Sequence, residues 1–232
     1  MGYQTFTRGG LNSKLPEPID EVTCFQLESG RMKKKHGSLE IQRFVSTANK
    51  NQYLLTSGGE AAVIDVSEAF DEICGAIDET DIELKYLLIT HAHKRHLQAL
   101  PRLKHKYGGV FCLHEYECEL LEEVDSSLEP DRIVKDNQLL QLGDINIEVL
   151  LTAGHTKGSI CFYIKEADAL FSGSTFLKRG YGKIWGPKSM SLMLFSLKRL
   201  SYTIPAKTTI YTGSGDLTTM ANEGWIQCLR SV

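Results

Sequence analysis

No run of this sequence is apolar for long enough to span a membrane as a helix. None of its six cysteines (Cys24, Cys74, Cys112, Cys118, Cys161 and Cys228) belongs to a C-x-x-C pair. Several of them sit inside apolar stretches, VFCLH and SICFYI, which reads as buried free thiols in a reduced, cytoplasmic protein. Proline is scarce, 6 in 232 residues, and there is no Pro/Ser linker, internal repeat or low-complexity tract. The expectation is one domain over residues 1–232, with 1–20 as an N-terminal arm. The opening MGYQTFTRGG lacks the apolar centre of a secretory signal, and Phe6 stands where a myristoylation site needs Ser or Thr. Neither sign of charge prevails: 26 Lys+Arg against 29 Asp+Glu leave a net −3. That field does not hold a nucleic-acid backbone non-specifically, although it leaves room for a local basic patch. What the chain does have is 42% hydrophobic residues, enough for a sizeable core and incompatible with wholesale disorder.

Short β-branched or aromatic runs bounded by polar or glycine turns predict strands at Val22–Leu27, Leu39–Ser46, Gln52–Thr56 and Glu60–Val66. Ser57-Gly58-Gly59 is a hairpin turn between the last two, and the basic run Arg31–His36 reads as a solvated hairpin tip. After Asp65 the period changes. Ser67 can cap a helix whose Phe70, Ile73, Cys74 and Ile77 recur at helical spacing. A strand at Tyr86–Thr90, a basic helix at Leu97–Tyr107, a strand at Val110–Leu113 and an acidic helix at Glu115–Val124 follow. A second β-rich block covers Leu139–Leu142, Ile145–Thr152, Ser159–Lys165 and Ala169–Ser172. A helix at Leu192–Tyr202, with Leu192, Phe195, Leu197 and Leu200 as core, a strand at Thr208–Thr212 and a helix at Thr218–Leu229 close the chain. Strands followed by αβ units, twice over, predict an α/β protein of two face-to-face sheets with helices outside.

The chemistry concentrates at Thr90-His91-Ala92-His93-Lys94-Arg95-His96, where an apolar strand gives way to a helix and three of the seven histidines fall within six residues. An i, i+2 pair such as His91 and His93 can converge from an extended segment. His96, in the first helical turn, sits at a positive dipole end that favours the neutral imidazole a metal needs. A second segment, Thr152-Ala153-Gly154-His155-Thr156-Lys157-Gly158-Ser159, places one histidine between glycines that allow tight turns. With the first pair, His155 completes a three-histidine set for zinc with a fourth position open. His36, His105 and His114 are taken as structural. Lys178, Arg179 and Lys183, interleaved with Tyr181 and Trp185, form a basic-aromatic loop.

These segments, in this order and spacing, resemble the metallo-β-lactamase fold, and glyoxalase II-like hydrolases in particular. The T-H-x-H-x-D-H pattern matches at Thr90, His91, His93 and His96, and G-H-T-x-G-S matches at Gly154–Ser159. Weaker matches are Asn51-Gln52-Tyr53-Leu54, Ala62-Val63-Ile64-Asp65, Leu170–Thr175 and Ile210–Gly215. The resemblance covers roughly residues 20–225. It implies an αβ/βα four-layer sandwich with the site at one edge of the sheets, a first metal site of His91, His93 and His155, and Asp65 behind it. The basic-aromatic loop would then border the pocket.

Three of the four second-site ligands that the resemblance assigns are replaced: the motif Asp is Arg95, the bridging Asp is Ser174 and the final His is Ser214, with only His96 retained. Serine hydroxyls are poor zinc ligands and a guanidinium cannot coordinate. The implied protein is therefore a hydrolase with at most one zinc. In it Arg95 holds an oxyanion or a substrate anion, and Ser174 orients the attacking oxygen. Alternatively, Arg95 forms an internal salt bridge to Asp65 or another carboxylate. The competing reading is a metal-free pseudoenzyme that binds an anionic ligand or a protein. The partners expected are a small anionic substrate or ligand, with no nucleic acid and no membrane, and homo-oligomerisation is left open. The chain also stops short of the C-terminal helical domain with which glyoxalase II enzymes hold glutathione, which argues against glutathione thioesters.

Overall fold

In the computed structural model, which describes residues 27–28 and 31–231, the chain forms two sheets. The first runs β1 (Leu27–Glu28), β2 (Arg31–His36), β3 (Leu39–Val45), β4 (Asn51–Ser57), β5 (Glu60–Ile64), β6 (Glu83–Leu88), β7 (Val110–His114) and β8 (Arg132–Val134), in that spatial order. The pairings through β5 are antiparallel, made by hairpins, and those from β5 to β8 are parallel. Parallel neighbours need a crossover, and α1 (Phe70–Asp78), α2 (Leu100–Tyr107) and α3 (Cys118–Val124) supply them. The second sheet comprises β9 (Leu139–Leu142), β10 (Ile145–Leu151), β11 (Ile160–Ile164), β12 (Ala169–Gly173), β13 (Thr209–Thr212) and β14 (Thr218–Thr219), neighbours in sequence order. Its one parallel pair, β12 and β13, is joined by α4 (Pro187–Thr203).

Strand alternation sorts side chains into three cores. Tyr53, Leu55, Ala62 and Ile64 face inward and meet Val149, Phe162 and Phe171 of the other sheet. Leu54, Ala61 and Val63 face outward and pack under Ile73 and Ile77 of α1 and Leu100 and Leu103 of α2. Leu150, Cys161 and Leu170 are covered by Met193, Leu197 and Leu200 of α4. The result is an αβ/βα four-layer sandwich, each large buried side chain contributing roughly 1.5–3 kcal/mol relative to exposure.

Several expectations are corrected. Arg31–His36 is not a hairpin tip but strand β2, paired with β3 over Met32–His36. Its lysine stems alternate between half-buried and exposed, which a run of charges conceals in a linear reading. Ser67 caps nothing. The helix starts at Phe70 without a side-chain cap, the Ser67 hydroxyl has no partner, and Gln52 Oε1 accepts the Ser67 amide at 2.7 Å. The helix expected at Thr218–Leu229 is β14 followed by two 3₁₀ segments, Met220–Asn222 and Gly224–Ser231. Phe195 is not core: it is 71% exposed, and Leu192 is 38% exposed, because the buried face of α4 is Met193, Ser196, Leu197, Leu200 and Ser201. β8 was not foreseen. Of the strand expected at Val22–Leu27 only Leu27 is described, and the arm at 1–20 and Cys24 lie outside the described residues. Cys74, Cys112 and Cys161 are buried free thiols, whereas Cys228 is exposed. No helix among the described residues is long and apolar enough to cross a membrane.

One carboxylate joins an ion pair within the first sheet to the second sheet. Glu60 accepts Lys85 Nζ at 2.8 and 2.9 Å and, across the sandwich, the Gly143 amide of the β9–β10 turn at 2.6 Å. The lysine, then the amide, hold this carboxyl below its ordinary value of 4.5. A carboxyl lowered on folding contributes stability that is present above its unfolded pKa and lost as pH falls through its folded one. Between about pH 5 and about pH 3 the wild type is therefore expected to lose more stability than Glu60→Gln in urea melts. Parallel curves for the two proteins would refute this.

Candidate metal centre

The histidines stand at the carboxyl ends of strands, on loops that two elements brace from behind. His91 and His93 follow β6, and His155 follows β10. The two loops are stitched by the Ile160 amide, which donates to the Thr90 carbonyl at 3.0 Å. A stronger brace comes from Glu117. Its turn starts at His114, whose Nδ1 accepts the Tyr116 amide at 3.2 Å. The Glu117 carboxylate is wholly buried and accepts the Ala92 amide and the Gly158 amide, each at 2.7 Å. One side chain thus holds both histidine loops, and burial pushes its carboxyl up from the ordinary range. Gly158 is what allows the approach, since a Cβ there would lie 2.9 Å from Glu117 Cγ. Gly154, at φ +147°, seats the His155 loop on α4, where a Cβ would meet Met193 Cα at 2.5 Å.

The ring nitrogens are then assigned by their partners. Thr90 Oγ1 lies 2.9 Å from Asp65 Oδ2, an acceptor only, so the hydroxyl donates there and accepts from His91 Nδ1 at 3.0 Å. That leaves His91 Nε2 as a lone pair, buried and without a partner. His155 Nδ1 faces the Lys183 carbonyl at 2.9 Å and must carry its proton, so His155 Nε2 is the second lone pair. His155 Nε2 lies 3.1 Å from His93 Nδ1. One nitrogen from each of His91, His93 and His155 falls within 4.8 Å of the others. Zn–N bonds of about 2.0–2.1 Å in a tetrahedron bring ligand nitrogens about 3.3 Å apart, so the group fits a metal ion. Burial, then the neighbouring imidazoles, push His91 well below its ordinary pKa and His93 to about 4. Burial also lowers His155, against the Lys183 carbonyl. All three are neutral at pH 7, the form that ligates.

Asp65 sits behind this set in a left-handed conformation at φ +55°, over-determined by its bonds to the Thr90 amide and hydroxyl and to His96 Nδ1 at 3.0 Å. His96 is not in the three-nitrogen group. Its ring packs on His91 with centroids 4.1 Å apart. The expected helix dipole beneath it is also absent: His96 ends a three-residue turn, Lys94–His96, and α2 begins only at Leu100. Asp65 orients it instead. The internal salt bridge between Arg95 and Asp65 does not form, and among the described residues no carboxylate pairs with the exposed Arg95. Arg95 lines a cavity of about 490 Å³ with the four histidines, Lys50, Ser174 and Ser214. From the basic-aromatic loop, Lys183 and Trp185 reach this cavity, while Lys178 pairs with Asp216 at 2.9 Å.

Sequence reasoning missed Lys50 and Glu117. Lys50 abuts the Asn51-Gln52-Tyr53-Leu54 match and could have been found there. Glu117 lies in an acidic helical pattern that hides one buried carboxylate among exposed ones.

Residues 47–232 match the family model described as the metallo-beta-lactamase superfamily. The chain belongs to this superfamily. The hydroxyacylglutathione hydrolase of Bartonella quintana (strain Toulouse) is 34% identical over 155 residues, 67% of this chain and 58% of that protein's length. The hydroxyacylglutathione hydrolase of Pelagibacter ubique (strain HTCC1062) is 31% identical over 177 residues, covering 75% of this chain and 70% of that one. The solved structure of TTHA1623 in a di-iron-bound form aligns with a TM-score of 0.67 at 25% identity, over 78% of this chain and 94% of that one.

Proposed function

We propose that this chain is a hydrolase of esters or thioesters of small anionic molecules, with a single zinc ion held by His91, His93 and His155. The observation that carries this reading is the convergence of the three imidazoles, with His91 Nε2 buried and partnerless at their centre. Relatives named hydroxyacylglutathione hydrolase support an acyl-transfer chemistry. When bound, zinc polarises a carbonyl and lowers the pKa of water to about 7.

The chain's own residues supply the rest. Asp65, through Thr90, fixes the ring and tautomer of His91, and the Lys183 carbonyl does the same for His155. Arg95 offers a fork of donors to the negative charge that develops on the acyl oxygen or is carried by the substrate. Ser174, in the same cavity, orients the attacking oxygen. An adjoining groove of about 370 Å³, shared with His93 and His155, walled by Tyr116, Leu120 and Leu192 and edged by Glu119, Glu123 and Lys157, accommodates the part of the substrate that carries no negative charge. Arg95, Ser174 and Ser214 provide no second set of ligands, hence one ion. The buried free thiols Cys112 and Cys161 favour a reducing compartment such as the cytoplasm.

The test is metal analysis of protein purified without chelator, together with assays on acyl thioesters and aryl esters. One zinc per chain with hydrolysis is expected. Two ions per chain would overturn the single-metal reading. A stoichiometry near zero without hydrolysis would overturn the hydrolase in favour of a metal-free anion-binding domain.

A further inference from the structure

We infer that Lys50 and Arg95 together form a binding site for a dianionic, phosphate-type group of the substrate, beside the three histidines. The inference deepens the hydrolase reading by naming the charge class of what enters the cavity, and it rests on that reading only in calling the bound molecule a substrate.

The cavity wall carries four cations, Lys50, Lys94, Arg95 and Lys183, and no carboxylate. Two of these cations have other company. Lys183 Nζ lies over the Trp185 ring, 3.9 Å from its centroid, and Lys94 is near enough to Asp125 to lower that carboxyl. Lys50 and Arg95 have no carboxylate partner among the described residues, and Asp65, the acidic group behind the site, is already bonded to Thr90 and His96. The two cations also feel each other: burial first, and then the charge of Arg95, lowers the Lys50 ammonium from its ordinary pKa.

The position of Lys50 is built rather than incidental. Its carbonyl accepts the Ser46 amide at 2.8 Å, and it forms a backbone bridge to Ser214. Asn49, before it, takes φ +56° and accepts the Gly215 amide at 3.2 Å. Thus a hairpin turn of the first sheet and a loop of the second hold a half-buried lysine in the wall of the same cavity as an arginine. Like charges in such a setting repel, and the neutral histidines do nothing to relieve them. Two positive charges call for two negative ones. A compact phosphate suits them, because the guanidinium fork and the ammonium point charge can each take separate oxygens, with the Ser174 and Ser214 hydroxyls in the same wall as further donors. A cavity of about 490 Å³ has room for a small phosphorylated molecule.

The experiment titrates inorganic phosphate, and separately acetate, into the full chain as purified, by calorimetry with zinc content measured in parallel. The proteins compared are wild type, Lys50→Met, Arg95→Met, His93→Ala and, as a surface control, Lys188→Met. Phosphate is expected to bind the wild type and Lys188→Met alike, and acetate at least tenfold more weakly. Lys50→Met and Arg95→Met should each weaken phosphate by roughly tenfold or more with unchanged zinc content and melting profile. His93→Ala should keep it. Wild-type affinity in both cation variants, acetate binding as tight as phosphate, or loss of phosphate in folded His93→Ala alone would overturn the inference. Phosphate bound through Lys50 and Arg95 to a protein without zinc would leave it standing while the hydrolase reading falls.

Discussion

Alanine at His93 is expected to bring hydrolysis down to the uncatalysed background and to make thermal unfolding indifferent to chelator. His93 Nδ1 stands 3.1 Å from His155 Nε2, and its pKa, pushed down to about 4 by burial and the neighbouring imidazoles, keeps it a ligand at neutral pH. Without it only His91 Nε2 and His155 Nε2 remain, two nitrogens where a zinc that keeps one open position uses three protein ligands. An ion present at 100 times its Kd stabilises the folded state by about 2.7 kcal/mol. For a chain of this size that corresponds to a melting shift of about 5–10 °C, which chelator should remove from the wild type and not from the variant. The paired measurement is a melting curve with and without chelator, alongside initial rates on a thioester. Full activity in His93→Ala, or a wild-type melting point that chelator leaves in place, would contradict it.

The second large effect falls on a residue that touches neither metal nor substrate. Glu117→Ala leaves the Ala92 and Gly158 amides buried without an acceptor, since both depend on that carboxylate at 2.7 Å. Each unsatisfied buried group costs about 1–3 kcal/mol, so a loss of about 2–6 kcal/mol is expected in urea unfolding. Because one carboxylate holds both histidine loops, their relative position loosens too, and zinc affinity should drop by about 10–100-fold in a competition titration. Glu117→Gln separates shape from chemistry. Its amide oxygen can accept one of the two N–H groups, but its NH₂ then faces the other donor, so it should fall between alanine and wild type in both measurements. Wild-type stability and zinc affinity in Glu117→Ala would show that the brace is dispensable.

Local pattern went far wherever a property depends on neighbours in sequence. The H-x-H spacing of His91 and His93, the turns permitted by Gly154 and Gly158, and the strands β4, β5, β10 and β12 are all governed by residues within a few positions of one another. The alternation that assigns Tyr53 and Leu55 inward and Leu54 outward is of this kind. Linear reading failed where partners come from afar. The charged run Arg31–His36 is a strand because β3 offers it a ladder, and the apolar Phe195 is exposed because α4 turns a neighbouring stripe to the second sheet. Ser67 reads as a cap, but Gln52 of β4 accepts the Ala69 amide that its hydroxyl would have served, along with the Ser67 amide, and the hydroxyl has no partner.

The family, the two sheets with their outer helices, and which histidines stand on which loops could all be read along the chain, because periodicity and short motifs are encoded by adjacent residues. Packing in three dimensions was needed to show that Asp65 serves His96 and Thr90 rather than Arg95, that Glu117 ties the two histidine loops together, and that Lys50 and Arg95 line one cavity. Each joins segments far apart in sequence that strand pairing or sheet packing brings together, where direction and distance, not order along the chain, choose the neighbour.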